Sequence, residues 1–314
     1  MKMMNECPIC KSSYARTFDD SRQPFLLICE NCRHLYWNCT PSQSEIDRYY
    51  NSTYTPNHNQ SDIQESNRKY YRSHVEELVK VVGKDRSKIY LADFGCSYPV
   101  LLEEAMNLGV GRVLGVELDQ SSRDYGKARD IPMMTPADFF NQVPESTLDI
   151  IRFSHVLEHL IDPAETLALA VSKLAADGLL YLTQPSFPVF KPQKNSYLLK
   201  DSVYPSHLHF FSPISLARML DRMPIIIFKF FTVTNADQTH AECATLLDLS
   251  YAEQNLKAWE ELGEAGRGYS SNYPIYCGEN SALYAFKAPP PVSKLSHFIG
   301  RARELLFAGR PRVR

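Results

Sequence analysis

The sequence predicts an α/β fold: a doubly wound, mostly parallel seven-stranded sheet behind a small cysteine-bearing module. Three observations predict it. From Ile89 onward, short apolar runs alternate with segments of helical periodicity. Asp93, Glu117 and Ser154 stand at or just past the ends of three such runs, and an open parallel sheet places its ligand beyond those ends. Ahead of them come two CxxC pairs, Cys7 with Cys10 and Cys29 with Cys32.

The chain has 314 residues, 44% hydrophobic and 22% charged, which suffices for one large core and a small appended module. A formal net charge of -2 gives no overall pull toward nucleic acid, so no nucleic-acid partner is expected. The longest apolar run, 224–233, contains Lys229 and falls short of the roughly 20 residues a membrane span needs. The first residues show no apolar signal segment, and the expected location is cytoplasmic.

Residues 1–40 read as a zinc ribbon. Of eight cysteines, four sit in the two CxxC pairs with eighteen residues between them, a metal pattern rather than a disulfide framework. Each CxxC turns two sulfurs of one tight loop toward one ion, so Cys7, Cys10, Cys29 and Cys32 are the expected ligands of a structural Zn2+. His34 and Cys39 lie close by and are expected not to be ligands. A ribbon this small lacks its own core, so the metal supplies most of its folding energy. It is not basic, which favours a structural or substrate-covering role.

Residues 41–66 are polar and turn-rich, with a tyrosine cluster at 49–54, and read as a linker or lid. A helix follows over 62–82, with Tyr70, Tyr71, Val75, Leu78 and Val82 near one face and Gly83 as its stop. Strands are expected at 89–94, 112–117, 131–135, 148–153 and 178–183, with helices near 98–108, 120–129 and 162–175. Asp162-Pro163-Ala164-Glu165 starts the last of these with an Asp cap and Pro at the first position, and Ser212-Pro213 opens another helix the same way. Strands near 225–233 and 281–287 complete the sheet around an insertion, 234–280, with one helix near 252–262. Residues 289–314 form a basic tail whose apolar positions recur at helical spacing. Its part 294–314 could touch an anionic membrane surface peripherally.

The ordered motifs Leu91-Ala92-Asp93-Phe94-Gly95-Cys96, Leu114-Gly115-Val116-Glu117-Leu118-Asp119 and Phe153-Ser154-His155-Val156-Leu157-Glu158-His159 carry more information together than apart. Over about residues 70–185 they resemble the S-adenosylmethionine (SAM) site of class I methyltransferases of the type 11/23 kind. The resemblance implies a Rossmann-like methyltransferase domain over 67–288. It also implies a cofactor site built from Asp93, Gly95, Cys96, Ser97, Glu117, Asp138 and Ser154. Glu117 would accept the ribose hydroxyls and Asp138 the adenine amino group. Gly95 permits the tight turn. The family usually has Gly where Ser97 and Pro99 stand; Ser97 can serve as a helix cap and Pro99 fits a first turn. A nicotinamide site is disfavoured because no GxGxxG follows the first strand.

The segment His155-Val156-Leu157-Glu158-His159 is not HExxH and shows no third ligand in sequence. The resemblance implies that it shapes the pocket. Downstream, Tyr204-Pro205-Ser206-His207-Leu208-His209-Phe210-Phe211-Ser212 is similar to a stretch of sugar C-methyltransferases that carry an N-terminal zinc-binding domain. That resemblance implies catalytic roles for Tyr204 and His207, while Ser206 stands where that family has a catalytic Glu. Histidine titrates near neutrality and suits proton transfer; with an enolate, a tyrosine hydroxyl would steady the charge.

These readings point to a SAM-dependent methyltransferase acting on a small-molecule or glycan acceptor, such as a sugar nucleotide, at oxygen or carbon. The rival is a non-catalytic binding or scaffold protein on a decayed methyltransferase fold. Methylation of RNA or protein is weakened by the charge balance and by the lack of an Asn/Asp-Pro-Pro-aromatic motif after the fourth strand.

Overall fold

The computed structural model describes residues 2–21, 24–49, 65, 67–185, 204–220, 222–233 and 280–287. Tyr50 and Tyr54, residues 186–203, the insertion 234–279 and the tail 289–314 lie outside them.

The N-terminal module is antiparallel. Strand β1 (Lys2–Met3) pairs with β5 (Cys39–Thr40), while β2 (Ala15–Asp19), β3 (Leu26–Cys29) and β4 (Leu35–Trp37) form a second sheet. That sheet gains a fourth strand from far along the chain, β11 (His209–Phe210), which pairs with β4 through His209 opposite Tyr36 and Phe210 opposite Leu35. Leu26, Ile28, Leu35 and Trp37 pack with Ile46 of α1 (Gln43–Tyr49) and with Leu208 and Phe210. The module therefore shares its core with the segment predicted to bear catalytic residues.

The main sheet has the order β12-β13-β10-β9-β6-β7-β8. Strands β6 (Tyr90–Phe94), β7 (Arg112–Val116), β8 (Met133–Met134), β9 (Leu148–Ser154) and β10 (Leu174–Pro185) run parallel. Strand β13 (Asn280–Lys287) lies antiparallel between β10 and β12 (Ile225–Val233). The apolar runs form buried parallel strands because both faces are covered. Ala92 and Phe94 face a core with Phe139, Ile151, Phe153 and Leu167; Leu91 faces another with Leu101 and with Val75 and Leu78 of α2 (Arg68–Val82). Helix α2 buries His74, Val75, Leu78, Val81 and Val82, the i, i+3, i+4, i+7 stripe of a helix on a sheet. Gly83 ends it in the left-handed conformation, φ 62°, with its N–H on Val79.

Helices α3 (Val100–Asn107), α4 (Gln120–Lys127) and α6 (Pro163–Lys173) occupy the expected places. Asp162 caps α6 by accepting from the Glu165 N–H, and Ser212 caps α7 (Pro213–Leu220) by accepting from Ser215. Three expectations change. The strand expected over 131–135 shrinks to Met133–Met134, because Thr135 caps a further helix, α5 (Pro136–Gln142), with Pro at its first position. Thr135-Pro136-Ala137-Asp138 repeats the signature at Asp162, so the signal was present in the sequence. The strand expected over 178–183 extends to Leu174–Pro185, with a register break between Leu174 and Leu179. Ser97 does not cap α3: Pro99 holds that position without a side-chain bond, and Ser97 sits two residues earlier at φ 49°.

Candidate functional site

Strand order reverses at β6. The chain runs from β6 to β7 and β8 on one side, then crosses back to β9 and β10 on the other. In a doubly wound sheet this switch point leaves a crevice beyond the strand ends, and ligands bind there. Three segments converge on it: the turn after β6, the end of β7 and the turn after β9.

The first turn is tied to β7 by the Gly95 N–H, which donates to the Val116 carbonyl at 2.7 Å, and by the Cys96 N–H to the same oxygen at 3.3 Å. Gly95 has φ 72°, and a Cβ there would lie 2.4 Å from Val156 Cγ2. Only glycine meets both constraints. Ser97 takes the left-handed conformation that a family glycine would adopt freely, and its N–H donates to Glu117 Oε2 at 2.7 Å. The departure from glycine thus changes the cost of the turn while keeping a glycine-like shape.

Glu117 is the hub of this corner. Its Oε1 accepts from the N–H groups of Leu118 at 2.7 Å and Asp119 at 3.0 Å, opposite the Ser97 bond on Oε2. Burial raises its pKa, against the pull of the three N–H donors. Each carboxylate oxygen has two lone pairs, so Oε2 keeps capacity for a further donor such as a ribose hydroxyl. The remaining expected cofactor residues divide. Ser154 closes β9, half-buried, beside His155 at φ 55°, whose N–H donates to the Thr183 carbonyl at 2.8 Å. Asp138 sits in the first turn of α5 and accepts from Thr135 Oγ1 at 2.7 Å and from Gln142 at 3.0 Å. Cys96 is buried, and burial raises its thiol pKa well above the usual value, so it is a neutral packing group.

Asp93 departs from the expected role of a cofactor contact. It is buried on the α2 face of the sheet, where its Oδ1 accepts from Arg152 Nη1 at 2.8 Å. Burial raises its pKa, with Arg152 opposing. The side-chain alternation of β6 that points Phe94 to one core points Asp93 to the other. Arg152 was missed in sequence because its spacing within a continuous apolar run gives no sign of a partner on another strand.

The second group of expected site residues comes from the turn after β9 and the segment 204–212. A 3-10 turn, Leu157–His159, follows His155, and the Leu208 N–H donates to the Glu158 carbonyl at 2.7 Å. The His159 and His207 rings are 4.6 Å apart. The His207 carbonyl accepts from the Trp37 indole at 2.6 Å. Tyr204 packs edge-on against Trp37, and its hydroxyl accepts from the Cys39 thiol at 3.8 Å. Burial, then the Cys39 contact, raises the Tyr204 pKa, which keeps it a hydrogen-bond donor. Ser206, at the position of the family's Glu, is buried, and its carbonyl binds His159. His209 does not reach this group: its Nε2 donates to the Leu160 carbonyl at 2.9 Å, and its Nδ1 lies 3.1 Å from His34 Nε2. Burial lowers the pKa of both histidines, that of His209 to about 4. They are a neutral joint between the module and the main domain.

The four cysteines meet. Cys7 and Cys32 sulfurs are 3.5 Å apart, as are those of Cys10 and Cys29, and all four lie within 4.8 Å of one another. Sulfurs bound tetrahedrally at about 2.3 Å from zinc stand about 3.8 Å apart, so the donor set fits that ion. The Cys32 thiol holds Cys7 down to about 6, while burial pushes Cys29 up to about 11: one thiolate is favoured and the next opposed. Four thiolates together need a cation. His34 is engaged with His209, and Cys39 with Tyr204.

None of the curated proteins compared matches the chain. Among solved structures, the geranyl diphosphate C-methyltransferase of Streptomyces coelicolor A3(2) superposes with TM-score 0.53 at 14% identity, covering 80% of this chain and 100% of that one. A chain from the Haloferax volcanii complex that contains the Trm112 methyltransferase activator superposes with TM-score 0.51 at 10% identity, covering 79% and 100%. At these identities the likeness is one of fold. Residues 63–223, just over half of the chain, match the family described as methyltransferase domain. That span contains the switch-point turn, Glu117, the turn after β9 and the segment with Tyr204 and His207, and the chain belongs to this methyltransferase family.

Proposed function

We propose that the chain is a SAM-dependent methyltransferase that acts on a small-molecule acceptor, a sugar nucleotide, glycan or related metabolite, at oxygen or carbon. The observation that carries the reading is the corner at β6 and β7. There, one carboxylate at the strand end accepts from the Ser97 N–H of the turn after β6 and from the N–H groups of Leu118 and Asp119, and its Oε2 keeps a lone pair for a further donor. SAM bound there would supply a methyl group on an electrophilic sulfonium. Glu117 would hold the ribose, and Gly95 lets the backbone approach closely.

On the acceptor side, His207 is the activating group and Tyr204 the donor that steadies developing negative charge. The N-terminal module, which we assign as a zinc ribbon, positions both: Trp37 holds the His207 carbonyl, Cys39 touches Tyr204, and β11 is part of the module's sheet. Its role is then to build one wall of the acceptor pocket. Among the described residues no helix is long and apolar enough to cross a membrane. A peripheral contact through 294–314 stays a proposal outside the described residues.

The test is calorimetric titration of the zinc-loaded protein with SAM and S-adenosylhomocysteine. Micromolar binding that weakens at least tenfold in Glu117→Gln is the expected result. No binding at millimolar ligand to folded, zinc-loaded protein would overturn the reading in favour of a scaffold.

A further inference from the structure

The acceptor end contains a charge arrangement that the methyltransferase corner does not use. Glu158 is 2% exposed, and among the described residues neither of its carboxylate oxygens has a hydrogen-bond partner. Two ring nitrogens stand just beyond bonding distance of Oε1, His155 Nδ1 at 3.6 Å and His159 Nε2 at 3.8 Å. Leaving a buried carboxylate without hydrogen bonds is expensive, so such a group normally faces a cation.

The tautomer of His159 sharpens this. Its Nδ1 lies 2.8 Å from the Ser206 carbonyl oxygen, which can only accept, so Nδ1 carries the proton. Its other nitrogen, Nε2, stands 3.8 Å from Glu158 Oε1 and is the atom the ring would offer to an ion. A backbone carbonyl on the far ring nitrogen is how metal-binding histidines are usually held. His207 supplies the third donor. Glu158, His159 and His207 offer one ligand atom each, all within 4.8 Å of one another. The sequence could not show this ligand, because it lies 48 residues beyond His159 and is brought there by tertiary contacts, among them the bonds from the Leu208 N–H to the Glu158 carbonyl and from His159 to the Ser206 carbonyl.

We propose that Glu158, His159 and His207 bind a divalent first-row transition-metal ion. Two imidazoles and one carboxylate on one side of an ion leave its other positions open, and they suit manganese, iron or zinc better than magnesium. Donors at about 2.1 Å from such an ion stand about 3.0–3.4 Å apart, so the 3.8 Å pair must close by a few tenths of an ångström. The role of the ion rests on the methyltransferase reading; its binding does not. In that role the ion would hold an acceptor hydroxyl and lower its pKa, so that His207 would activate the hydroxyl through the ion it binds. The hydroxyl proton would leave to solvent, on the side where the His155 side chain, 48% exposed, stands beside Glu158. The freed oxygen pair forms the bond to methyl, the sulfonium S–C bond breaks, and its pair returns to sulfur.

The experiment uses the full chain with its cysteine site loaded with zinc. Mn2+ is titrated by calorimetry and by the loss of the free-ion paramagnetic resonance signal, without SAM. Manganese does not compete for thiolate sites. One Mn2+ per chain is expected, with affinity reduced at least tenfold in both Glu158→Gln and His207→Ala while zinc stays at one per chain. The glutamine of the first variant is isosteric with the native side chain, and near-ultraviolet dichroism checks that each variant folds. No Mn2+ bound at millimolar concentration, or equal binding in the variants, overturns the proposal. Mn2+ binding without SAM binding would overturn only the cofactor reading, and SAM binding without Mn2+ only this one.

Discussion

Replacing Gly95 by alanine tests the switch-point turn in two separable ways. The backbone term is the left-handed φ of 72°, which costs an L-residue about 1–2 kcal/mol. The packing term is the new Cβ at 2.4 Å from Val156 Cγ2, well inside contact distance; overpacking of this kind costs about 1–3 kcal/mol. Gly95→Ala should therefore lose about 2–5 kcal/mol. Val156→Ala alone removes buried methyl groups and should cost about 1–3 kcal/mol. In the double variant the clash disappears and the backbone term stays. The two changes should then couple favourably, by about 1–3 kcal/mol relative to their sum. Urea unfolding of the four proteins, followed by far-ultraviolet dichroism with slopes checked for equality, measures the coupling. Additivity to within about 0.5 kcal/mol would refute the contact between the two turns, and with it the geometry of the crevice.

Other perturbations read other parts of the molecule. Asp93→Asn leaves Arg152 charged, buried and poorly paired, and should cost about 3–5 kcal/mol in urea unfolding; replacing both partners with apolar residues should cost less, and the reverse order would sink the ion-pair account. If the four cysteines hold zinc as proposed, Cys29→Ser should release it and loosen the packing of Tyr204 and β11 on the module. Trp37 fluorescence is the readout, since its ring packs on Tyr204 and Phe210, and an unchanged spectrum with zinc lost would separate module from pocket. Glu104 meets burial that would raise its pKa, but Arg68 and Arg72 outweigh it and hold the pKa below the ordinary 4.5. Its contribution is thus complete above that value and lost as pH falls through the lower folded value. Glu104→Gln should be destabilised at pH 7, with the gap to the parent narrowing in acid; a gap that widens would contradict the sign.

Much of this could be read from residue order. Apolar runs near Tyr90, Arg112 and Leu148 became strands, since a strand buried on both faces is written as a continuous apolar run. Asp162 and Gly83 marked helix ends because caps are local interactions between near neighbours. Glu117 and the Gly95 turn were legible because a strand end and the turn beside it lie within a few residues of their motifs. Paired CxxC spacing likewise brought four sulfurs together. What local order could not carry was partnership across the sheet. Asp93 looked like a strand-end ligand until Arg152, on the neighbouring strand, claimed it. Ser97 looked like a cap, yet the turn needed a left-handed residue there, two positions ahead of the cap at Pro99.

The sequence by itself determined the alternation of strands and helices and the cysteine cluster, because each depends on periodicity or short spacing. Tertiary structure alone decided that the N-terminal module and the segment 204–212 share one sheet through β11 and β4. It alone brought His207 to Glu158 and His159. Those contacts join residues far apart in the chain, and they arise from packing and hydrogen-bond satisfaction between elements whose separate sequences hold no record of each other.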